Sequence, residues 1–150
     1  MYYKMLIITI LIFTTTHCFA NDDSVKPQND TFKYSIYRPE LKRAKSVTGT
    51  KAIARLLFKD YLGHYKASNI DKSERLKAYK ILAVKIIEED TLGFIFTVDF
   101  SVQSFNESLV NWSAGNGRVS KNNWVVNKSN FVWVKKERNK YIVKEIGTGP

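Results

Sequence analysis

Residues 94–102 read F-I-F-T-V-D-F-S-V. Phe94, Phe96, Val98, Phe100 and Val102 alternate with Ile95, Thr97, Asp99 and Ser101, and Gln103 continues the second row. A period of two places the first set on one face of an extended strand and the second set on the other. No helix would gather those five apolar residues on one side. The stretch predicts a strand with one aromatic face, and such a face must be covered by a second layer.

The cover is found upstream. Within 50–66, Ile53, Leu56, Leu57, Tyr61, His64 and Tyr65 recur at helical spacing, while Lys51, Arg55, Lys59 and Lys66 fall opposite. This is one apolar stripe of a 3.6-residue repeat. Thr48 or Thr50 is placed to cap its start through a side-chain oxygen.

The remaining segments sort around this pair. Residues 76–89 (L-K-A-Y-K-I-L-A-V-K-I-I-E-E) fit helix or strand by period. Their β-branched content and the turn-like Asp90-Thr91-Leu92-Gly93 favour a strand that forms a hairpin with the next one. Residues 124–136 carry Val125, Val126, Phe131, Val132, Trp133 and Val134, with a polar break at 127–130 that predicts a bulge or bend. The link 137–139 then leads to Tyr141, Ile142, Val143 and Ile146, a second hairpin. Residues 106–123, rich in Asn, Ser and Gly, read as a long surface loop, with a tight positive-φ turn at Gly115-Asn116-Gly117. The fold class expected is α+β, an N-terminal helix packed on a curved antiparallel four-stranded meander over residues 48–150. Residues 21–47 read as an N-terminal extension, in which Phe32, Tyr34, Ile36 and Tyr37 resemble a short strand or docking segment.

Residues 1–20 predict a signal peptide. Lys4 gives a positive start, Met5 to Phe13 is apolar and uncharged, and Cys18-Phe19-Ala20 ends in a small residue. The run is shorter than the roughly 20 apolar residues that span a bilayer. Three fates are open: cleavage after Ala20, lipidation at Cys18, or retention as an anchor. At three residues before and immediately before the cysteine, Thr15 and His17 fit a lipidation signal poorly. After cleavage no cysteine remains, so thiol chemistry and disulfides are excluded. Cleavage also removes one of 24 Lys+Arg and none of 14 Asp+Glu, leaving 23 basic residues against 14 acidic, a balance of +9. Such a surplus suits an anionic cell-wall polymer or another polyanion. Scattered lysines equally suit simple solvation, and the densest group is Arg38, Lys42, Arg43 and Lys45.

W-S-A-G-N-G (Trp112 to Gly117), N-W-V-V-N-K (Asn123 to Lys128), F-V-W-V-K-K (Phe131 to Lys136) and Y-I-V-K-E-I-G-T-G-P (Tyr141 to Pro150) complete the picture. Together with the element order, they resemble an uncharacterised Gram-positive exported family. Its fold is the cystatin-like roll of the nuclear-transport-factor superfamily. The resemblance implies a curved sheet folded over a helix, an extracytoplasmic location and no assigned activity.

Candidate chemistry is sparse. His64 is the one histidine outside the leader, a possible general base beside Tyr61 and Tyr65, or else part of the apolar stripe. A lone histidine without cysteine gives no zinc site. Asp99 and Asp60 are the carboxylates considered for proton transfer in a cavity. Asp99 shares a row with Thr97, Ser101 and Gln103, and Asp60 flanks a helix surface. No cofactor motif is present. Nucleic-acid binding has no support beyond charge. Trp133 reads as core, whereas Trp112 and Trp124 suit core or an exposed stacking platform. The expected contact surface is Trp112, Asn116, Lys121, Trp124 and Lys128, on a non-enzymatic binding or scaffolding domain whose partner is an envelope protein or wall polymer. The alternatives are an isomerase- or dehydratase-like enzyme with a cavity carboxylate, and a polyanion binder.

Overall fold

The computed structural model describes residues 37–43 and 47–148. The leader with Cys18, the aromatics Phe32, Tyr34 and Ile36, and Lys45, Gly149 and Pro150 lie outside the described residues. In chain order the elements are β1 (Glu40–Lys42), α1 (Thr50–His64), β2 (Leu76–Glu89), β3 (Gly93–Ser104), α2 (Leu109–Ser113) and β4 (Arg118–Val119). A single 3₁₀ turn (Lys121–Asn123) then leads into β5 (Trp124–Lys136) and β6 (Lys140–Gly147). The class is α+β: a curled antiparallel sheet in the order β1-β6-β5-β3-β2 wraps one long helix, with β4 paired to the start of β5.

The quoted stretch behaves as read. Phe94, Phe96, Val98, Phe100 and Val102 are each 4% exposed or less and form the floor of the core. Helix α1 covers them, and Phe58 meets Phe100 edge-on at 5.0 Å between ring centroids. The buried face of α1 is Ile53, Ala54, Leu57, Phe58 and Leu62, and Tyr65, just past its end, is buried with them. It is therefore turned from the stripe expected: Leu56 is exposed, and Phe58 and Leu62 take the central places. The helix opens on Gly49 at φ 89° rather than on a threonine cap. Gly49 offers its carbonyl to the amides of Ala52 and Ile53, while Thr50 Oγ1 donates to Glu89 at 2.6 Å.

Residues 76–89 form the strand expected, and the hairpin turn is locked by Asp90, whose carboxylate accepts from the amides of Leu92 and Gly93. Gly93 is required there, because a Cβ at that position would lie 2.0 Å from the carbonyl oxygen of Val134. Register shifts recur along the sheet: three between β2 and β3, one between β3 and β5 and one between β5 and β6. Each extra residue bends and twists its strand, which is how a flat ladder becomes a curl.

The sheet has six strands, not four. Glu40–Lys42 adds an edge to β6, and Arg118–Val119 adds a short strand to β5. The segment 106–123 is correspondingly more ordered than a surface loop. Ser108, fully buried, accepts from the amide of Phe105 and donates to the carbonyl of Arg75 at 2.6 Å. Asn111 and Trp112 donate to the carbonyls of Ser73 and Glu74, both at 2.7 Å. These side-chain bonds tie α2 to the chain just ahead of β2.

Trp133 corrects the expectation most plainly. It is 52% exposed. Val132 and Val134 pair with Phe96 and Phe94 and share their inward row, so Phe131 and Trp133 are left on the outer face.

Candidate functional site

The predicted bulge in β5 is real and has a chemical consequence. Asn127 sits at φ 59°, and across it the partners in β3 jump from Val102–Val125 to Phe100–Lys128. The extra residue turns the alternation over, so Val125 and Lys128 both point inward. A lysine is thus carried to the inner face of the roll. Lys128 is only 5% exposed.

Its ammonium is held by the turn that follows α2. Lys128 Nζ donates to the carbonyls of Asn116 at 2.8 Å and Ala114 at 3.1 Å. The Asn116 side chain brackets the backbone of Ser129: Nδ2 donates to its carbonyl at 2.5 Å, and Oδ1 accepts from its amide at 3.1 Å. Gly117 makes the close approach possible: at φ 106°, a Cβ there would lie 2.8 Å from Lys128 Cγ. Among the described residues no carboxylate forms an ion pair with Lys128. Burial alone pushes its pKa below the ordinary lysine range. Desolvation disfavours the charged form, and two carbonyl dipoles offset it only in part.

Beside Lys128 a cleft of about 250 Å³ opens at the mouth of the roll. Tyr61, Tyr65 and Trp112 supply aromatic surface, Lys128 and Asn130 come from β5, Gly115 and Thr148 also line the cleft, and the half-buried Glu74 adds a carboxylate. Tyr65 and Trp112 meet edge-on at 5.3 Å. The Oδ1 atom of Asn130 is buried and has no hydrogen-bond partner. Such an atom forfeits its hydration without compensation unless a ligand supplies a donor.

The residues expected to form one contact surface do not stay together. Trp112, Asn116 and Lys128 gather at the cleft, but Asn116 and Lys128 are bound into the frame rather than displayed. Trp124 pairs with Gln103 on the outer face, with Lys80 Nζ 5.0 Å from its ring. Lys121 is exposed in the 3₁₀ turn. Asn130 and Tyr65 were missed. The period-two count from Lys128 would have found Asn130 once the bulge direction was known.

The proton-transfer candidates stand elsewhere. Asp99 is exposed on the outer face, paired with Ala83 and Ser129. Asp60 is exposed on α1 and accepts from Tyr37 Oη at 2.9 Å, and His64 stacks on the Tyr37 ring at 3.9 Å. Tyr37 therefore links these two, and its own pKa is raised by burial, by the hydrogen bond to Asp60 and by the charges of Asp60 and Glu40. Among the described residues no aspartate or glutamate is buried, and no group of three or more His, Cys, Asp or Glu could hold a metal ion. Among those residues, too, no helix is long and apolar enough to cross a membrane.

The arrangement defines a class in broad terms, an α+β half-barrel with a polar-floored cleft at one end. Compared with family models, curated proteins and solved structures, the chain matches none.

Proposed function

We propose that the chain is an exported, non-enzymatic binding domain of the bacterial cell envelope, a cystatin-like roll that receives its ligand in the cleft at its mouth. One observation carries the reading. Three of the four motif segments that support the family resemblance converge on that cleft. Trp112 to Gly117 supplies Trp112 and Gly115, Asn123 to Lys128 supplies Lys128, and the terminal segment supplies Ile146 and Thr148. A cleft with aromatic sides and a few convergent polar groups is the usual form of a small-ligand site. The leader-like pattern of residues 1–20 supports the compartment.

The cavity-carboxylate alternative keeps one candidate, the half-buried Glu74 that lines the cleft, while Asp99, Asp60 and His64 do not line it. The basic balance supports a polyanion contact as a second reading.

Expression of the tagged full chain in a Gram-positive host tests the first reading. The expected product is outside the cytoplasm, beginning at Asn21, carrying lipid on Cys18, or anchored by its leader. Recovery of the intact chain in the cytosol would overturn export. Polyanion binding would weaken steeply between low and physiological salt, and a flat response removes that reading.

A further inference from the structure

Resting on the cleft reading above, we infer that the ligand presents a carboxylate with a neutral N–H on the adjoining carbon, as the free C-terminal residue of a peptide does. The acid would sit on Lys128 Nζ, the amide N–H on Asn130 Oδ1, and the side chain against Trp112 and Tyr65.

The argument starts from two uncompensated groups. An ammonium has three donors, and Lys128 gives two of them to the carbonyls of Ala114 and Asn116. A buried charge without a counterion is costly, and an incoming anion relieves it. Asn130 Oδ1 has the opposite need, a donor. Both residues point inward from one strand, two positions apart, so their Cα atoms stand roughly 6.5 Å from each other. Both residues line the same cleft of about 250 Å³, so one small ligand can address both.

The pairing also selects the kind of donor. An α-ammonium at Asn130 would bring a second positive charge next to Lys128, with Glu74 the one acidic side chain lining the cleft to answer both. A backbone amide brings no charge. Simple anions such as phosphate can answer Lys128 but offer no apolar group to Trp112 and Tyr65. Trp112 and Tyr65 offer apolar surface to a side chain, and the modest volume limits that side chain to a small one.

The test is an NMR titration of the exported chain with four probes: N-acetyl-alanine, its N-methylamide, alanine and inorganic phosphate. N-acetyl-alanine is expected to shift the Asn130 side-chain amide and the Trp112 indole signals. The N-methylamide, which loses the charge-assisted hydrogen bond, and alanine, which brings a second positive charge, are each expected to bind about tenfold more weakly or worse. Asn130→Asp, nearly isosteric, should abolish N-acetyl-alanine binding by repulsion while the remaining amide spectrum stays native. Lys128→Met should remove the preference for acid over methylamide. Equal binding of acid and methylamide, or of alanine and N-acetyl-alanine, would overturn the ligand class and leave the cleft standing. Phosphate binding as tightly as the acid would overturn it too. If no probe moves either reporter, the cleft reading itself falls with it.

Discussion

Two ends of a single row on β5 behave differently. Val132 and Val134 pack against Phe96 and Phe94 and leave no room, whereas Lys128 and Asn130, on the same inner face, border an open cleft. What separates them is the cover. The valines lie in the core that α1 closes with apolar side chains, while Lys128 is met by a turn that offers backbone carbonyls. Polar residues are tolerated on the inner face of this roll where the chain supplies partners, and the cleft is the region in which that supply falls short.

The comparison can be broken from the packed end. Phe96 is fully buried opposite Val132. Phe96→Ala should cost about 3–5 kcal/mol by chemical denaturation, the range for an aromatic removed from a closed core. A loss below about 1 kcal/mol would mean that the packed end has the slack assigned to the mouth. Gly93→Ala comes next. Its new methyl would meet the Val134 carbonyl, and overpacking of this sort costs about 1–3 kcal/mol.

How much of this was legible follows from the same rows. The inner row of β3 could be read because its outer row is polar at Thr97, Asp99, Ser101 and Gln103. F-V-W-V at 131–134 offered two apolar rows, and only pairing with Phe94 and Phe96 decided between them. That is why Trp133 was misplaced. The polar break at 127–130 marked a bend, but its direction depends on the positive φ at Asn127, which residue type permits without requiring. Lys128 and Asn116 were picked out as a contact surface, and their hydrogen bonds to the neighbouring backbone had no signal in the sequence. Elements as short as β4 and α2 carry no periodicity to read, being held by long-range bonds such as Trp112 to Glu74.

Lys128→Met sharpens the contrast through pH. The folded chain lowers the lysine pKa, so as pH rises the native state gives up its proton before the unfolded state does. In that window the unfolded chain binds more protons, and linkage makes the Lys128 contribution to stability grow with pH. Subtracting the Lys128→Met stability curve from that of the parent should leave a difference that rises through the alkaline range up to the ordinary lysine pKa near 10.5 and is flat at neutrality. A difference that falls there would mean that the ammonium is better solvated in the fold than in water. Near neutral pH the variant should be close to neutral or more stable, as replacements of buried charge by an apolar group of similar volume often are.

Trp133→Ala is a smaller test of the outer face. With half its surface in water already, the side chain should contribute less than about 1 kcal/mol, far below Phe96. An effect of core size would put Trp133 in a contact that the inner-face argument denies it.

The smallest effect belongs to the carboxylate once considered for catalysis. Asp60 is exposed, and its bond to Tyr37 Oη should be worth only a few tenths of a kcal/mol, since exposed polar pairs exchange little against water. Its signature is in titration rather than stability. Tyr37 is held above the usual phenol range by burial first and Asp60 second. Asp60→Asn removes the neighbouring negative charge, so alkaline absorbance at the tyrosinate band should show one tyrosine ionising earlier. The sign for stability is opposite to that of Lys128. A phenol with a raised pKa keeps its proton longer in the fold, so its contribution is complete below the ordinary pKa near 10.0 and is lost as pH climbs through the raised value. If Asp60→Asn left the tyrosine titration unchanged, the contact joining Tyr37 to α1 would not persist in solution, and the stacked His64 would lose the partner that explains its place.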